Sequence, residues 1–139
     1  MKKTIETNWL GQKAFESNIG EHKIVLDTII ENGGTNKGPS PLPLLMSSYA
    51  GCMGMDTISI LTKKNIKVDE FKIITEGTIN DEHPYYYKEV RTIFQFTGKD
   101  LPYDIIADAV DKAENKYCGI CATLKKSVKI INEVKLINV

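Results

Sequence analysis

The segment from Pro39 to Asn65 most constrains how this chain can fold. It carries no charge from Pro39 to Met55, and small residues recur in it at spacings of three and four. Such spacing places small side chains on one face of an α-helix, where another backbone can approach closely. Cys52 falls within this small-residue stripe. A buried cysteine usually behaves as a small, unreactive apolar residue, so its position alone does not make it reactive. The small residues are Ser47, Ala50, Gly51 and Gly54.

The composition indicates one globular domain over residues 1–139, because 139 residues with 42% apolar content can bury a core. Eighteen basic residues balance eighteen acidic ones, and Arg91 is the single arginine. The chain therefore has no net charge that would attract phosphates, and it has a single arginine for contacts to phosphate groups or base edges. We expect no binding to nucleic acid.

The N-terminal sequence MKKTIETNWLG contains no apolar signal core, so we expect the protein to stay in the cytosol. The uncharged run after Gly38 is interrupted by prolines and glycines, and it lacks the roughly 20 apolar residues that a membrane span needs. We expect a core helix and no membrane association. Three cysteines, an odd number in a reducing compartment, argue against a structural disulfide framework.

Hydrophobic periodicity predicts the remaining elements. Segments that alternate apolar with polar residues predict an N-terminal antiparallel meander and a later long β-hairpin. After the hairpin, apolar residues recur at the spacing of an α-helix. The order β-β-β-α-β-β-α-β, without regular βα alternation, indicates an α+β fold. The predicted strands are 4–10, 13–18, 22–27, 68–79, 86–96 and 128–139, and the second helix is 101–117, with a short helix after Gly119.

Cys118 and Cys121 form a C-x-x-C motif within KYCGICATLKK. A thioredoxin-type motif should follow a strand in a βαβ unit, whereas this one follows a helical segment. A structural zinc site needs four ligands and the chain has no second C-x-x-C, so we expect no metal, leaving open a weaker site assembled across subunits. A third alternative pairs Cys52 with one of these cysteines, as peroxidatic and resolving thiols. The residues alone leave these alternatives open, beside a buried structural role for Cys52.

Asp56 follows Cys52 by one helical turn and therefore shares its face. A nearby anion disfavours a thiolate. We therefore expect Asp56 to cap a backbone group, bind a lysine or meet a partner chain, not to activate the cysteine.

The segment GPSPLPLLMSSYAGCMGMD, a long hairpin containing EHP, and KYCGICATL occur in this order. Together they resemble the OsmC/Ohr family of osmotically induced and organic-hydroperoxide-resistance proteins over nearly the whole chain. The resemblance implies an OsmC-like α+β fold of antiparallel sheets with a central cysteine-bearing helix. It also implies an intertwined homodimer with two sites at the interface.

By the same resemblance, Cys52 occupies the peroxidatic position and Cys118 the resolving one, and Cys121 is an extra thiol. The implied activity is a cofactor-free thiol peroxidase that reduces a small organic hydroperoxide. The resulting disulfide is then reduced by a cellular dithiol.

Two positions depart from the family pattern of an arginine in the N-terminal strands and a glutamate early in the central helix. The strands here contain Lys13 and Lys23, and Pro43 stands at the glutamate position. Arg91 is a candidate to supply positive charge from another direction. An alternative function is therefore a non-catalytic OsmC-like protein that binds an apolar or thiol-containing small molecule.

Overall fold

The computed structural model describes residues 1–139 and divides into two compact units, Met1–Leu45 and Met46–Val139. The first unit contains a three-stranded antiparallel sheet in the order β1-β2-β3. Its strands are β1 Glu6–Gly11, β2 Ala14–Ile19 and β3 His22–Leu26, and a short 3₁₀ helix follows at Ile30–Asn32. The meander predicted from the alternating pattern is confirmed.

The loop after β3 is organised by the carboxylate of buried Asp27. This carboxylate accepts hydrogen bonds from the backbone N–H groups of Thr28, Thr35 and Lys37, and from the Thr35 hydroxyl at 2.5 Å. One side chain therefore satisfies several loop donors that have no strand partner.

Helix α1 spans Pro41–Lys63. Its first residue is a proline, whose fixed φ suits a first helical turn. At the other end Asn65 is left-handed (φ 59°), the Asn65 N–H donates to Thr62 O (3.1 Å), and the Ile66 N–H donates to Leu61 O (3.0 Å). This is a Schellman motif with asparagine in the left-handed position, and it ends the helix within the segment Pro39 to Asn65.

Helix α1 is buried along one face only. Its buried residues recur every four positions: Tyr49, Met53, Thr57 and Leu61. The predicted small-residue face lines a separate groove and is exposed or half-buried. Helix α1 is long and apolar enough to cross a membrane, and 22% of its most apolar 18-residue stretch is buried in the protein. The core helix of a soluble protein satisfies the same length and composition criterion.

The second unit contains a sheet in the order β4-β5-β6, formed by Glu70–Ile79, Tyr87–Gly98 and Lys129–Asn138. Strands β4 and β5 form the predicted antiparallel hairpin. Strand β6, however, runs parallel to β5, so the prediction of antiparallel sheets is wrong for this sheet. The connection from β5 to β6 passes through helices, which is the crossover that a parallel pair needs.

This connection comprises α2 Tyr103–Lys112, a π-helical turn Ala113–Tyr117, and α3 Gly119–Leu124. The predicted second helix is thus regular only as far as Lys112, and the predicted short helix after Gly119 is confirmed. The interior of this unit includes Phe94, Phe96 and Ile106, and the ring of Phe71 stacks on Phe96 with centroids 4.2 Å apart.

Candidate functional site

Cys52 lies on α1 and is half-buried. Consecutive residues of an α-helix are about 100° apart. Cys52 is therefore about a quarter turn from Gly51 and lies off the small-residue face, so the prediction that it sits inside that stripe is wrong. Residues three or four positions away share its side of the helix, and these include Tyr49 and Asp56.

Cys118 is buried and lies at the beginning of α3. The π-helical turn before it ends with a hydrogen bond from the Cys118 N–H to Ala113 O at 2.8 Å. Its sulfur accepts a hydrogen bond from the backbone N–H of Cys121 at 3.2 Å, as the N-cap of this short helix. The backbone thus fixes the position of the Cys118 sulfur.

The structure brings three side chains together from these two segments. The Sγ atoms of Cys52 and Cys118 and a carboxylate oxygen of Asp56 all lie within 4.8 Å of one another. Cys52 and Asp56 are half-buried, and Cys118 is buried. The two cysteines singled out by the family resemblance are therefore neighbours in space.

Burial raises the pKa of the Cys118 thiol to about 12, and its hydrogen bond with Cys52 adds to this shift, whereas the Cys121 N–H opposes it. Burial also raises the pKa of the Cys121 thiol, with a further increase from Glu114 and an opposing effect of Lys125. In both cases the low-dielectric surroundings favour the neutral thiol. Cys118 is thus a neutral hydrogen-bonding neighbour of Cys52 at neutral pH.

A part-buried polar network supports this site. The Tyr49 hydroxyl donates to Asn132 Oδ1 at 2.7 Å, and Asn132 Nδ2 donates to Glu114 Oε1 at 2.6 Å. Sequence analysis missed these three residues. The available signal was the position of Tyr49 three residues before Cys52, on the same side of α1.

The charged residues considered from sequence are engaged in ion pairs and hydrogen bonds. Arg91 pairs with Glu133 at 2.7 Å, and both side chains are about half exposed. Lys13 donates to Asn32 O at 2.8 Å, and Lys23 lies 3.6 Å from Glu16. The single guanidinium of the chain is therefore held by a carboxylate.

Two cavities border α1. One, of about 460 Å³, has a lining that includes Asp56 and three lysines; its residues are Asp56, Ser59, Ile60, Lys63, Lys64, Lys112 and Tyr117. The other, of about 550 Å³, is lined by the small-residue face; its residues are Ser47, Ala50, Gly51, Gly54, Met55, Ile58, Phe71 and Ile73. Asp56 thus connects the thiol cluster to the lysine-lined cavity.

A family model described as "OsmC-like protein" matches residues 34–133, which include both cysteines of the cluster. The chain belongs to the OsmC-like family. This OsmC-like chain is also 30% identical to Protein YhfA of Escherichia coli K12, over 84% of each chain.

Solved structures share the OsmC-like fold of this chain. A hypothetical protein from Aquifex aeolicus VF5 is 26% identical, with a TM-score of 0.87 over 99% of this chain and 97% of that one. The organic hydroperoxide resistance protein OhrB of Bacillus subtilis is 18% identical, with a TM-score of 0.69 over 96% of this chain and 98% of that one. The two-sheet, three-helix α+β architecture is therefore that of the family.

Proposed function

We propose that this protein is a thiol-dependent peroxidase that reduces organic hydroperoxides, with Cys52 as nucleophile and Cys118 as resolving thiol. The observation that carries the proposal is the approach of the two sulfurs to within 4.8 Å from two separate helices. Family membership adds support, because relatives of the same fold include an organic hydroperoxide resistance protein.

In the proposed first step the Cys52 thiolate attacks the O–O bond of a hydroperoxide ROOH. An S–O bond forms as the O–O bond breaks, ROH leaves after taking up a proton, and Cys52 becomes a sulfenic acid. The Cys118 sulfur then attacks the sulfenic sulfur, water leaves, and a Cys52–Cys118 disulfide forms. A small dithiol reduces that disulfide to two thiols and is itself oxidised, so no cofactor is needed.

The difference in burial between the two cysteines suits these roles. A peroxidatic sulfur must meet its substrate, and Cys52 is half-buried, whereas the resolving sulfur needs only to meet Cys52, and Cys118 is buried. A disulfide needs an S–S distance of about 2.0 Å. A starting separation below 4.8 Å leaves a gap that side-chain rotation and a small shift of the α3 segment can close.

The test is a disulfide map of the fully reduced protein after one equivalent of cumene hydroperoxide, with hydrogen peroxide in parallel. We expect a Cys52–Cys118 disulfide and faster reaction with the organic peroxide. Cys52→Ser should abolish peroxide consumption, and Cys118→Ser should stop at a sulfenic acid that dimedone traps. Cys121→Ser is the matched control and should retain the disulfide. Three unchanged thiols in the wild-type protein, or full activity of Cys52→Ser, would refute the peroxidase.

We also propose that the protein is a cytosolic homodimer in which the small-residue face of α1 packs against its copy. This face lines an open groove, and an added Cβ at Gly51 would meet no atom within 4 Å in the protomer. Small side chains on an exposed helical face allow two helices to approach closely. Three free thiols suit a reducing compartment.

A second candidate is a binding protein for an apolar or thiol-containing small molecule, without efficient peroxidase chemistry. It is favoured by the ion pair between Arg91 and Glu133, because this pair commits the single guanidinium of the chain to a carboxylate. A co-purified ligand seen by native mass spectrometry, with no disulfide after peroxide treatment, would support this candidate.

A further inference from the structure

The Asp56 carboxylate has no role in the peroxidase steps, yet one of its oxygens lies within 4.8 Å of both the Cys52 and Cys118 sulfurs. Two sulfurs and a carboxylate oxygen at this spacing are donor atoms that a metal ion can bind together. A bound cation would account for the approach of these three side chains.

We propose that Cys52, Asp56 and Cys118 form a binding site for a thiophilic divalent cation such as Zn²⁺, with its fourth coordination position open. Two thiolates and one carboxylate select a borderline-soft metal over Mg²⁺ or Ca²⁺, which prefer all-oxygen sites. Zinc sites that keep an open fourth position have three protein ligands, whereas structural zinc sites have four.

The dimensions of the cluster fit such a site. Zn–S bonds of about 2.3 Å and Zn–O bonds of about 2.0–2.2 Å place tetrahedral ligand atoms roughly 3.3–3.8 Å apart. The three atoms already lie within 4.8 Å of one another, so a contraction of at most about 1.5 Å completes the ligand set. Side-chain rotation of half-buried Cys52 and Asp56 can supply most of this movement.

The backbone holds these ligands in place. Cys52 and Asp56 are four residues apart on α1, which fixes two ligands on one side of a rigid helix. The Cys118 sulfur accepts the Cys121 N–H at 3.2 Å. A hydrogen bond of this kind orients a metal-bound sulfur from outside the ligand shell.

The charge around the site also favours the loaded form. Binding displaces the two thiol protons to solvent, and three anionic ligands then exceed a divalent cation by one negative charge. Asp56 opens onto the cavity lined by Lys63, Lys64 and Lys112. Their ammonium groups offset the excess negative charge, although Lys112 is shared with Asp108 at 2.8 Å.

Metal binding and the peroxidase cycle exclude one another, since both use the Cys52 and Cys118 sulfurs. The metal-loaded protein should therefore resist peroxide-induced disulfide formation. Conversely, the disulfide form should not bind the metal.

The test is a Zn²⁺ titration of the full-length protein, fully reduced and stripped with a chelator, in competition with a chromophoric indicator. Co²⁺ replaces Zn²⁺ in a parallel experiment, where thiolate-to-metal charge-transfer and tetrahedral ligand-field bands report the ligands. We expect one metal ion per chain. Asp56→Asn, with Asp56→Ser as a second variant, should weaken Zn²⁺ binding by at least about tenfold, since loss even of a group that only orients a ligand costs that much.

Cys118→Ser leaves only the Cys52 thiolate, so it should lower the charge-transfer band per bound Co²⁺ by about half. Asp104→Asn, an exposed aspartate on α2, and Cys121→Ser are the matched controls and should bind as the wild type does. Absence of one-to-one binding, unchanged affinity in both Asp56 variants, or loss of binding in Cys121→Ser would overturn the site. If the protein binds the metal but forms no disulfide after peroxide treatment, only the proposed peroxidase activity is refuted. If it forms the disulfide but binds no metal, only the proposed metal site is refuted.

Discussion

The Tyr49 hydroxyl donates a 2.7 Å hydrogen bond to Asn132 Oδ1 and so joins the helix that carries Cys52 to strand β6. Asn132 in turn donates to Glu114 in the π-helical turn that leads to Cys118. One part-buried chain of three polar groups therefore links the backbone segments of both cysteines. Tyr49 is fully buried, whereas Asn132 and Glu114 are half-buried, so loss of one hydrogen bond is only partly compensated by water.

We predict that Tyr49→Phe lowers the free energy of unfolding by about 0.5–1.5 kcal/mol, because half-buried Asn132 Oδ1 loses its protein donor. Urea denaturation of the reduced protein measures this change. Tyr103→Phe is the control, since the Tyr103 side chain is exposed and its substitution should cost less than about 0.5 kcal/mol. Equal effects of the two substitutions would show that the network does not contribute to stability.

The raised pKa of Cys118 makes the stability of the reduced protein depend on alkaline pH. The folded pKa is about 12, above the value of about 8.5 for an unperturbed thiol. The native state therefore holds a proton that the unfolded chain releases. The stability that comes from the neutral thiol is fully present below about pH 8.5 and is lost as pH rises toward 12.

We accordingly expect the urea midpoint of the wild-type protein to fall more steeply from pH 8 to pH 10 than that of Cys118→Ala. Cys121 and Tyr49, whose pKa values burial also raises, are common to both proteins and cancel in the comparison. In the same range, mapped alkylation should modify Cys118 more slowly in the native protein than in urea. If the difference between the two urea midpoints stayed constant over this pH range, the pKa of the Cys118 thiol would not be raised in the folded protein.

Asp27 makes the stability depend on acidic pH in the opposite sense. The hydrogen bond from the Thr35 hydroxyl, with the N–H donors of the loop, lowers the pKa of Asp27 to about 2, and desolvation opposes the shift. The unfolded carboxylate has a pKa of about 3.9. The stabilisation is therefore present above about pH 4 and is lost as pH falls through 2.

We predict that Asp27→Asn destabilises the protein at pH 7 and that the difference from wild type shrinks as pH falls below 4. Thermal denaturation from pH 2 to pH 7 measures it. Glu31→Gln, an exposed carboxylate in the same loop region, should leave the transition temperature unchanged at pH 7. If the difference in transition temperature between the wild type and Asp27→Asn did not change with pH, the ionised carboxylate of Asp27 would not be the stabilising group.

Much of this fold was readable from sequence because its signals are local. Alternation predicted all six strands, and the segment from Pro39 to Asn65 that was predicted to be helical contains α1. The parallel pairing of β6 was missed, since strand direction depends on how α2 and α3 return the chain to the sheet, which periodicity does not encode. The π-helical turn at Ala113–Tyr117 was missed as well, because its register shift has no residue signature.

The candidate site was predictable in part. The four-residue spacing of Cys52 and Asp56 already placed them on one side of α1. Assigning Cys52 to the small-residue stripe was wrong because positions one and two residues apart do not face the same way. The approach of Cys118 is a tertiary contact, and it was expected only through the family resemblance.

The proposed dimer gives the last prediction, since Gly51 lies at the centre of the small-residue face of α1. Its added Cβ would meet no atom within 4 Å, so the protomer tolerates a longer side chain there. Glutamate is also a better helix former than glycine by roughly 0.5–1 kcal/mol. Gly51→Glu should therefore keep the folded protomer while a carboxylate blocks close helix packing. We expect the variant to sediment as a monomer with native circular dichroism, whereas Ser59→Glu, exposed but off that face, should remain dimeric. A dimeric Gly51→Glu would place the interface on another surface.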